Sequence, residues 1–118
     1  MTYIEFFDQN VLRNIVACLA YRPERVVYIG DTYEEMSEHI KNCEAVFGSK
    51  GQNIDFDIKV TNLNSLKEIL KTLDEIVNQY NDCVFDISGG DELLSFALGM
   101  IYSKYPNNNI QVQKYNVN

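Results

Sequence analysis

The sequence predicts an α/β domain built on a mostly parallel sheet of five strands, and three observations lead to this class. Short apolar runs typical of buried strands alternate with longer segments in which apolar residues recur at helical spacing. Each strand-and-helix repeat occupies about 25 to 30 residues, close to the size of a βαβ unit. The chain of 118 residues also has the usual length of one compact domain. Right-handed crossovers between such repeats place helices on both faces of a parallel sheet.

Five segments have the composition of strands. The second is continuously apolar, as expected for a strand covered on both faces, whereas the third alternates apolar with charged residues and is expected at a sheet edge. The predicted strand order is 3-2-1-4-5, with the first and fourth strands adjacent at the switch point of a Rossmann-like three-layer sandwich. The strands are predicted at residues 2–7, 25–29, 55–60, 83–87 and 110–115.

Four segments between these strands have helical spacing. Asp8 or Asn10 is suited to cap the first helix, which Pro23 ends. The third helix is predicted to begin at Asn64 or Ser65, and the fourth to run from about residue 91 to 105. The second helix has an apolar stripe of Tyr33, Met36, Ile40, Cys43 and Phe47.

Composition limits the classes of partner. Seventeen acidic and ten basic side chains give a formal net charge of −7, which disfavours duplex nucleic acid and anionic membrane surfaces as partners. Three widely spaced cysteines indicate reduced core residues, and neither a signal peptide nor a membrane span is recognisable. We therefore expect a cytoplasmic protein in which residues 1–118 form one domain, either alone or as the N-terminal part of a longer chain.

The candidate ligand site lies where parallel strands end at the switch point. Its most distinctive segment is Ser88-Gly89-Gly90-Asp91, here called the Gly-Gly turn. Two glycines allow unusual dihedral angles, close approach to a ligand and exposure of free amides to an anion. Alternatively, they form only a tight turn that Asp91 follows as a helix cap. The predicted ligand-binding residues are Asp8, Gln9, Asn10, Asp31, Ser88, Gly89, Gly90 and Asp91.

Three acidic residues near this turn carry separate expectations. Asp91 and Glu92 favour the helix that they begin but repel an anionic ligand. Asp86 lies within an otherwise apolar strand, where a hydrogen-bonded structural carboxylate is the favoured role and orientation of the turn or a ligand is the alternative. Glu5 in the first strand raises the same question.

Several familiar sites are missing from the sequence. The glycine fingerprint of dinucleotide-binding domains does not follow the first strand, and the phosphate-loop motif is absent. His39 is the single histidine, and a surface or half-buried structural role is favoured over a catalytic one. We therefore expect no catalytic residues, no metal site and no cofactor.

The fourth helix carries more apolar surface than one face of a sheet can cover. Residues 93–102 are apolar around most of the helix circumference, and Ala97 and Gly99 would permit close approach of another helix. This predicts a homodimer interface through residues 91–105, the alternative being a helix covered within its own domain.

Two stretches resemble the CRISPR-associated Rossmann-fold sensor domain, in particular the N-terminal domain of proteins that join this sensor to a restriction-like nuclease. Residues 84–97 (VFDISGGDELLSFA) are similar to the strand-Thr-Gly-Gly-Thr-Lys-helix motif of that family, and residues 22–29 (RPERVVYI) enter the second strand as in the family. Asp91 and Glu92 depart from the family's Thr and Lys.

The resemblance implies a homodimer that binds a cyclic oligoadenylate across its two-fold axis. The implied contacts are the loop at Asp8, Gln9 and Asn10 and the turn at Ser88, Gly89 and Gly90. Two alternatives remain open at this stage. One is a ring nuclease that cleaves the ligand by positioning a ribose 2′-hydroxyl against the adjacent phosphate. The other is a protein-interaction module whose functional surface is the fourth helix.

Overall fold

The computed structural model describes residues 1–8 and 11–114. For residues 11–14 and 17 the description covers the backbone alone. Five strands form one parallel sheet in the order β3-β2-β1-β4-β5, which confirms the predicted order. Residue 115, the predicted end of the last strand, lies outside the described residues. The strands are β1 (Thr2–Phe6), β2 (Arg25–Gly30), β3 (Asp55–Val60), β4 (Cys83–Asp86) and β5 (Ile110–Gln113).

Four helices connect these strands: α1 (Val11–Tyr21), α2 (Tyr33–Ser49), α3 (Leu66–Gln79) and α4 (Glu92–Lys104). Two of the predicted caps are present. The Ser65 side chain accepts a hydrogen bond from the Glu68 amide at the start of α3, and Asp91 does the same for Leu94 in α4. Within the described part of the chain, no helix is long and apolar enough to cross a membrane.

The two faces of the sheet are packed differently. The face beneath α3 and α4 is apolar and includes Ile4, Phe6 and Phe85. The face beneath α1 and α2 contains apolar residues such as Val84, but Glu5 and Asp86 are also buried. Because alternate residues of a strand point to opposite faces, these carboxyl groups lie beside Tyr3 and Val84 rather than Ile4 and Phe85. Polar groups are therefore buried directly below the switch point.

The structure of α2 differs from two separate expectations, one for its apolar stripe and one for His39. Met36, Ile40, Cys43 and Phe47 are buried as expected, but Tyr33 at the first position of the helix is exposed. His39 is only 5% exposed, so its predicted surface or half-buried position is wrong. Its Nε2 lies 3.1 Å from the Tyr28 hydroxyl and 3.2 Å from the Cys43 sulfur. Both contacts are made by Nε2 and hold the ring within the core, as expected for a structural role.

Candidate functional site

The candidate site begins where β1 and β4 end side by side. The two strands are parallel neighbours, with Glu5 opposite Asp86 in their register. Their carboxyl ends therefore open at the same edge of the sheet. The chain continues from β1 to Phe7 and Asp8, and from β4 into the Gly-Gly turn. The helices that follow, α1 and α4, pack on opposite faces, so the sheet edge between them forms a crevice.

Hydrogen bonds occupy two of the amides of the Gly-Gly turn. The Ser88 amide donates to Asp86 Oδ1 at 2.7 Å, and the Gly90 amide donates to the Ile87 carbonyl at 3.2 Å. Asp91 Oδ1 accepts from the Leu94 amide at 3.0 Å. The expectation that the amides of residues 88 and 90 are free for an anion is therefore wrong. The anion-binding potential of this segment comes instead from the first turn of α4, whose leading amides have no acceptor within the helix.

The two glycines are required by close packing rather than by unusual dihedral angles. Neither Gly89 nor Gly90 has a positive φ. A β-carbon on Gly89 would lie 2.7 Å from the Phe6 carbonyl oxygen, and one on Gly90 would lie 3.0 Å from Phe6 Cδ2. The turn therefore rests on the end of β1, with no room for a side chain at Gly89 and a tight fit at Gly90.

The structure brings Asp8 together with the Gly-Gly turn. The Asp8 β-carbon would be 3.4 Å from a β-carbon on Gly89, so its side chain lies against the turn. Asp31 is exposed at the end of the neighbouring strand β2, where its Oδ1 accepts a hydrogen bond from Thr32 Oγ1 at 3.2 Å. The other predicted ligand residues of the first loop, Gln9 and Asn10, lie outside the described residues.

Asp86 supports the turn from below. It is 3% exposed, and its Oδ2 accepts a hydrogen bond from the Tyr3 hydroxyl at 2.6 Å. Gln113 Nε2 donates to the same hydroxyl at 3.3 Å, which connects the cluster to the end of β5. Burial, followed by the hydrogen bond to Asp86, raises the pKa of Tyr3, so this hydroxyl remains a proton donor. The structure therefore favours the hydrogen-bonded structural role for Asp86 and adds orientation of the turn.

Glu5 is the second buried carboxyl group of this cluster. It is 4% exposed, and its Oε2 has no hydrogen-bond partner among the described residues. Burial raises the pKa of Glu5 well above its ordinary value, the Asp86 carboxylate raises it further, and a hydrogen bond from Tyr28 lowers it in part. Glu5 thus holds a proton more readily than an exposed glutamate does.

One basic residue at the site was missed by the sequence analysis. Lys114 lines an open depression of about 870 Å³ together with residues of the turn and of α4, among them Ser88, Gly90, Asp91 and Glu92. The sequence could have predicted this position of Lys114, because the predicted strand order places the end of β5 beside the end of β4. Lys114 supplies a positive charge next to a turn whose following residues are acidic.

The chemistry of the described groups is suited to binding. Within the described ranges, no set of three or more His, Cys, Asp or Glu side chains could hold a metal ion. Burial raises the pKa of Cys43 and of Cys83 to about 11 each, so these thiols are protonated at neutral pH. What the site offers is helix amides, a basic side chain and a rigid turn, which suit a small polar ligand.

The strand order and the helices on both faces define a Rossmann-like domain, with the Gly-Gly turn at the switch point of its sheet. In fold, the chain is similar to Can2 from Sulfobacillus thermosulfidooxidans, whose structure was solved in complex with cyclic tetra-adenylate. The TM-score is 0.75 at 16% sequence identity, covering 98% of this chain and 32% of the Can2 chain. The predicted fold is thereby confirmed, and this chain spans about a third of the length of Can2. No family model matches the sequence, and no curated protein matches it either.

Proposed function

We propose that this chain is a sensor domain that binds a cyclic oligoadenylate second messenger in CRISPR-linked antiviral defence. The observation that carries the proposal is the fold similarity to Can2, a protein whose structure contains cyclic tetra-adenylate. The Gly-Gly turn at the switch point adds support, because ligands of open parallel sheets bind at this location. We also propose a cytoplasmic location, where Cys18, Cys43 and Cys83, which are buried and form no disulfide, would remain reduced.

The proposed ligand contacts the turn and the neighbouring strand ends. Phosphate groups would lie near the N-terminus of α4 and Lys114, where the helix dipole and the ammonium group are both favourable. Asp91 and Glu92 oppose this attraction, so shape and base contacts must supply part of the affinity. The proposed binding residues are Asp8, Gln9, Asn10, Asp31, Ser88, Gly89, Gly90 and Asp91.

We further propose that two copies of the domain associate through α4. Phe96 is 61% exposed, and Met100, one helical turn later, and Tyr102 are also exposed. Val112 on the edge strand β5 is a further exposed apolar residue. Exposed large apolar side chains are common at interfaces. A two-fold dimer would present two equivalent crevices to a ligand that is itself symmetric.

A thermal-shift titration tests the proposed function directly. Cyclic tri-, tetra- and hexa-adenylate would each be added to the purified protein, with linear tetra-adenylate as the matched control. A ligand that binds only the folded state raises the midpoint temperature in proportion to the logarithm of its concentration above its Kd. We expect one cyclic ligand to raise the midpoint and the linear control to have little effect. A folded protein whose midpoint is unchanged by all three rings would refute the proposal.

The sensor would form part of a longer protein that contains an effector domain. The support is that the matched region is about a third of the Can2 chain. A sensor without chemistry of its own produces a response through another domain or a partner protein. Sequencing the complete reading frame tests this, and a frame that codes for these residues alone would contradict it.

A further inference from the structure

Asp86 joins two parts of the molecule that are far apart in the sequence. One carboxylate oxygen accepts the Ser88 amide at 2.7 Å, and the other accepts the Tyr3 hydroxyl at 2.6 Å. Both distances are short for their type of hydrogen bond, as expected when the acceptor is a carboxylate. The group is buried, so water does not compete for either oxygen. Asp86 thus holds the first residue of the Gly-Gly turn against β1.

The connection continues from the turn to the end of β5. Gln113 donates from Nε2 to the Tyr3 hydroxyl at 3.3 Å, and its carbonyl oxygen accepts from the Ile87 amide at 2.9 Å. The end of β5 is therefore attached to the turn both through its backbone and through Tyr3. A displacement of the turn would have to break or stretch one of these bonds.

We propose that Asp86 is the positioning residue of the ligand-binding turn, holding Ser88 in place and connecting it through Tyr3 to the end of β5. This role rests on the proposed function, since it concerns the same site. A buried carboxylate costs free energy unless its oxygens are paired, and the two partners here are a turn amide and a neighbouring-strand hydroxyl. The pairing fixes the position of Ser88 relative to the end of β1. It thereby also fixes the orientation of the peptide group that leads into Gly89.

Glu5 provides a matched control within the same cluster. It lies directly opposite Asp86 in the register of β1 and β4, and it is buried to a similar extent. Its carboxyl group is hydrogen-bonded to Tyr28 of β2, on the side away from β4. Glu5→Gln therefore changes a buried carboxyl group of the cluster without removing a bond to the turn.

Hydrogen exchange of the Ser88 amide tests the positioning role without any ligand. Asp86→Ala removes both acceptors, and Asp86→Asn keeps one carbonyl oxygen that can still accept from Ser88. We expect exchange at Ser88 to be at least about tenfold faster in Asp86→Ala, because a hydrogen bond to a charged acceptor is lost. Asp86→Asn should give a smaller increase, and Glu5→Gln should leave Ser88 exchange unchanged. Exchange at the Phe85 amide in β4 monitors global unfolding in each variant.

The affinity for the cyclic oligoadenylate identified by thermal shift is the second readout. We expect about tenfold or greater weakening in Asp86→Ala, partial recovery in Asp86→Asn and at most about a twofold change in Glu5→Gln. Wild-type affinity in a folded Asp86→Ala or Asp86→Asn protein, or unchanged Ser88 exchange, would overturn the positioning role. If the wild type binds no ring while Ser88 exchange depends on Asp86 as expected, the proposed function fails and the positioning of the turn stands.

Discussion

The carbonyl oxygen of Phe6 closes the space beside Gly89. A β-carbon at position 89 would lie 2.7 Å from this oxygen, closer than β-carbons of folded proteins approach non-bonded atoms. The contact is with backbone at the end of a central strand, which cannot move aside as a flexible side chain could. The position of the Gly-Gly turn is therefore set by β1 as well as by Asp86.

Gly89→Ala should destabilise the protein because the methyl group forces the turn away from β1. We expect a loss of about 1–3 kcal/mol in the free energy of unfolding, the usual cost of an overpacked contact. Urea unfolding followed by circular dichroism measures it. Gly48→Ala in α2 is the matched control, since a β-carbon there meets no atom within 4 Å. That control should be neutral or more stable by up to about 1 kcal/mol. Equal stabilities of the two variants would contradict the steric explanation.

Glu5→Gln should stabilise the protein increasingly as the pH rises. The pKa of Glu5 is raised in the folded state from its ordinary value of 4.5, first by burial and then by Asp86. The folded state therefore retains a proton that the unfolded state has released, and stability falls as the pH rises from about 4.5 towards the folded-state pKa. Glutamine has no proton to lose, so the variant escapes this decline.

The measurement is the urea midpoint of wild type and Glu5→Gln at several pH values between 4 and 8. Burial lowers the pKa of His39, which makes stability rise with pH up to the ordinary histidine value of 6.5. Both proteins contain His39, so its contribution cancels in the difference between them. A difference that does not change with pH would show that Glu5 loses its proton equally easily in both states.

The sheet could be predicted because each strand and helix is marked by a pattern within its own segment of the sequence. The continuous apolar run in β2 and the alternation in β3 identify a central and an edge strand, and the helical repeats between strands require parallel connections. The caps Ser65 and Asp91 were found for the same reason, since a cap is defined by its neighbours in the sequence. The prediction that Tyr33 is buried was wrong. Tyr33 continues the apolar spacing of α2, but it is the first residue of the helix and lies at the protein surface.

The contacts of the candidate site could not be predicted because they join distant residues. The hydrogen bond between Tyr3 and Asp86 spans 83 positions, and it requires the register of two strands, which no local pattern specifies. The glycines were recognised, but the reason for them lies in the Phe6 carbonyl oxygen on another strand. Sequence patterns thus locate the turn, and the packing around it explains its composition.

Phe96→Glu should dissociate the proposed dimer without destabilising the fold. Phe96 is exposed, so its replacement removes little packing within one copy, whereas charges facing each other across a two-fold interface repel. Sedimentation velocity over a range of concentrations measures the change, with wild type expected as a dimer and the variant as a monomer. Val46→Glu on α2, also at an exposed apolar position, is the control and should remain dimeric. A monomeric wild type at high concentration would refute association through α4.

Asp91→Asn should strengthen binding of the anionic ligand while preserving α4. Asparagine caps a helix about as well as aspartate, so the hydrogen bond from the Leu94 amide can be retained. The variant lacks the negative charge that opposes a phosphate at the helix N-terminus. We expect affinity for the cyclic oligoadenylate to increase about two- to fivefold in titration calorimetry, with an unchanged unfolding midpoint. Weaker binding would indicate that the Asp91 carboxylate contacts the ligand as an acceptor.

Lys114→Gln should weaken binding of the anionic ligand, because it removes the positive charge beside the Gly-Gly turn. Long-range attraction of the ligand falls with this charge, so affinity should decrease about two- to fivefold at low salt, and the dependence of affinity on salt should become weaker. Lys41→Gln, an exposed lysine on α2, makes the same change in net charge away from the depression and separates a local effect from a global one. If both lysine variants lose affinity equally, the total charge of the protein governs binding, and the assignment of Lys114 to the site is wrong.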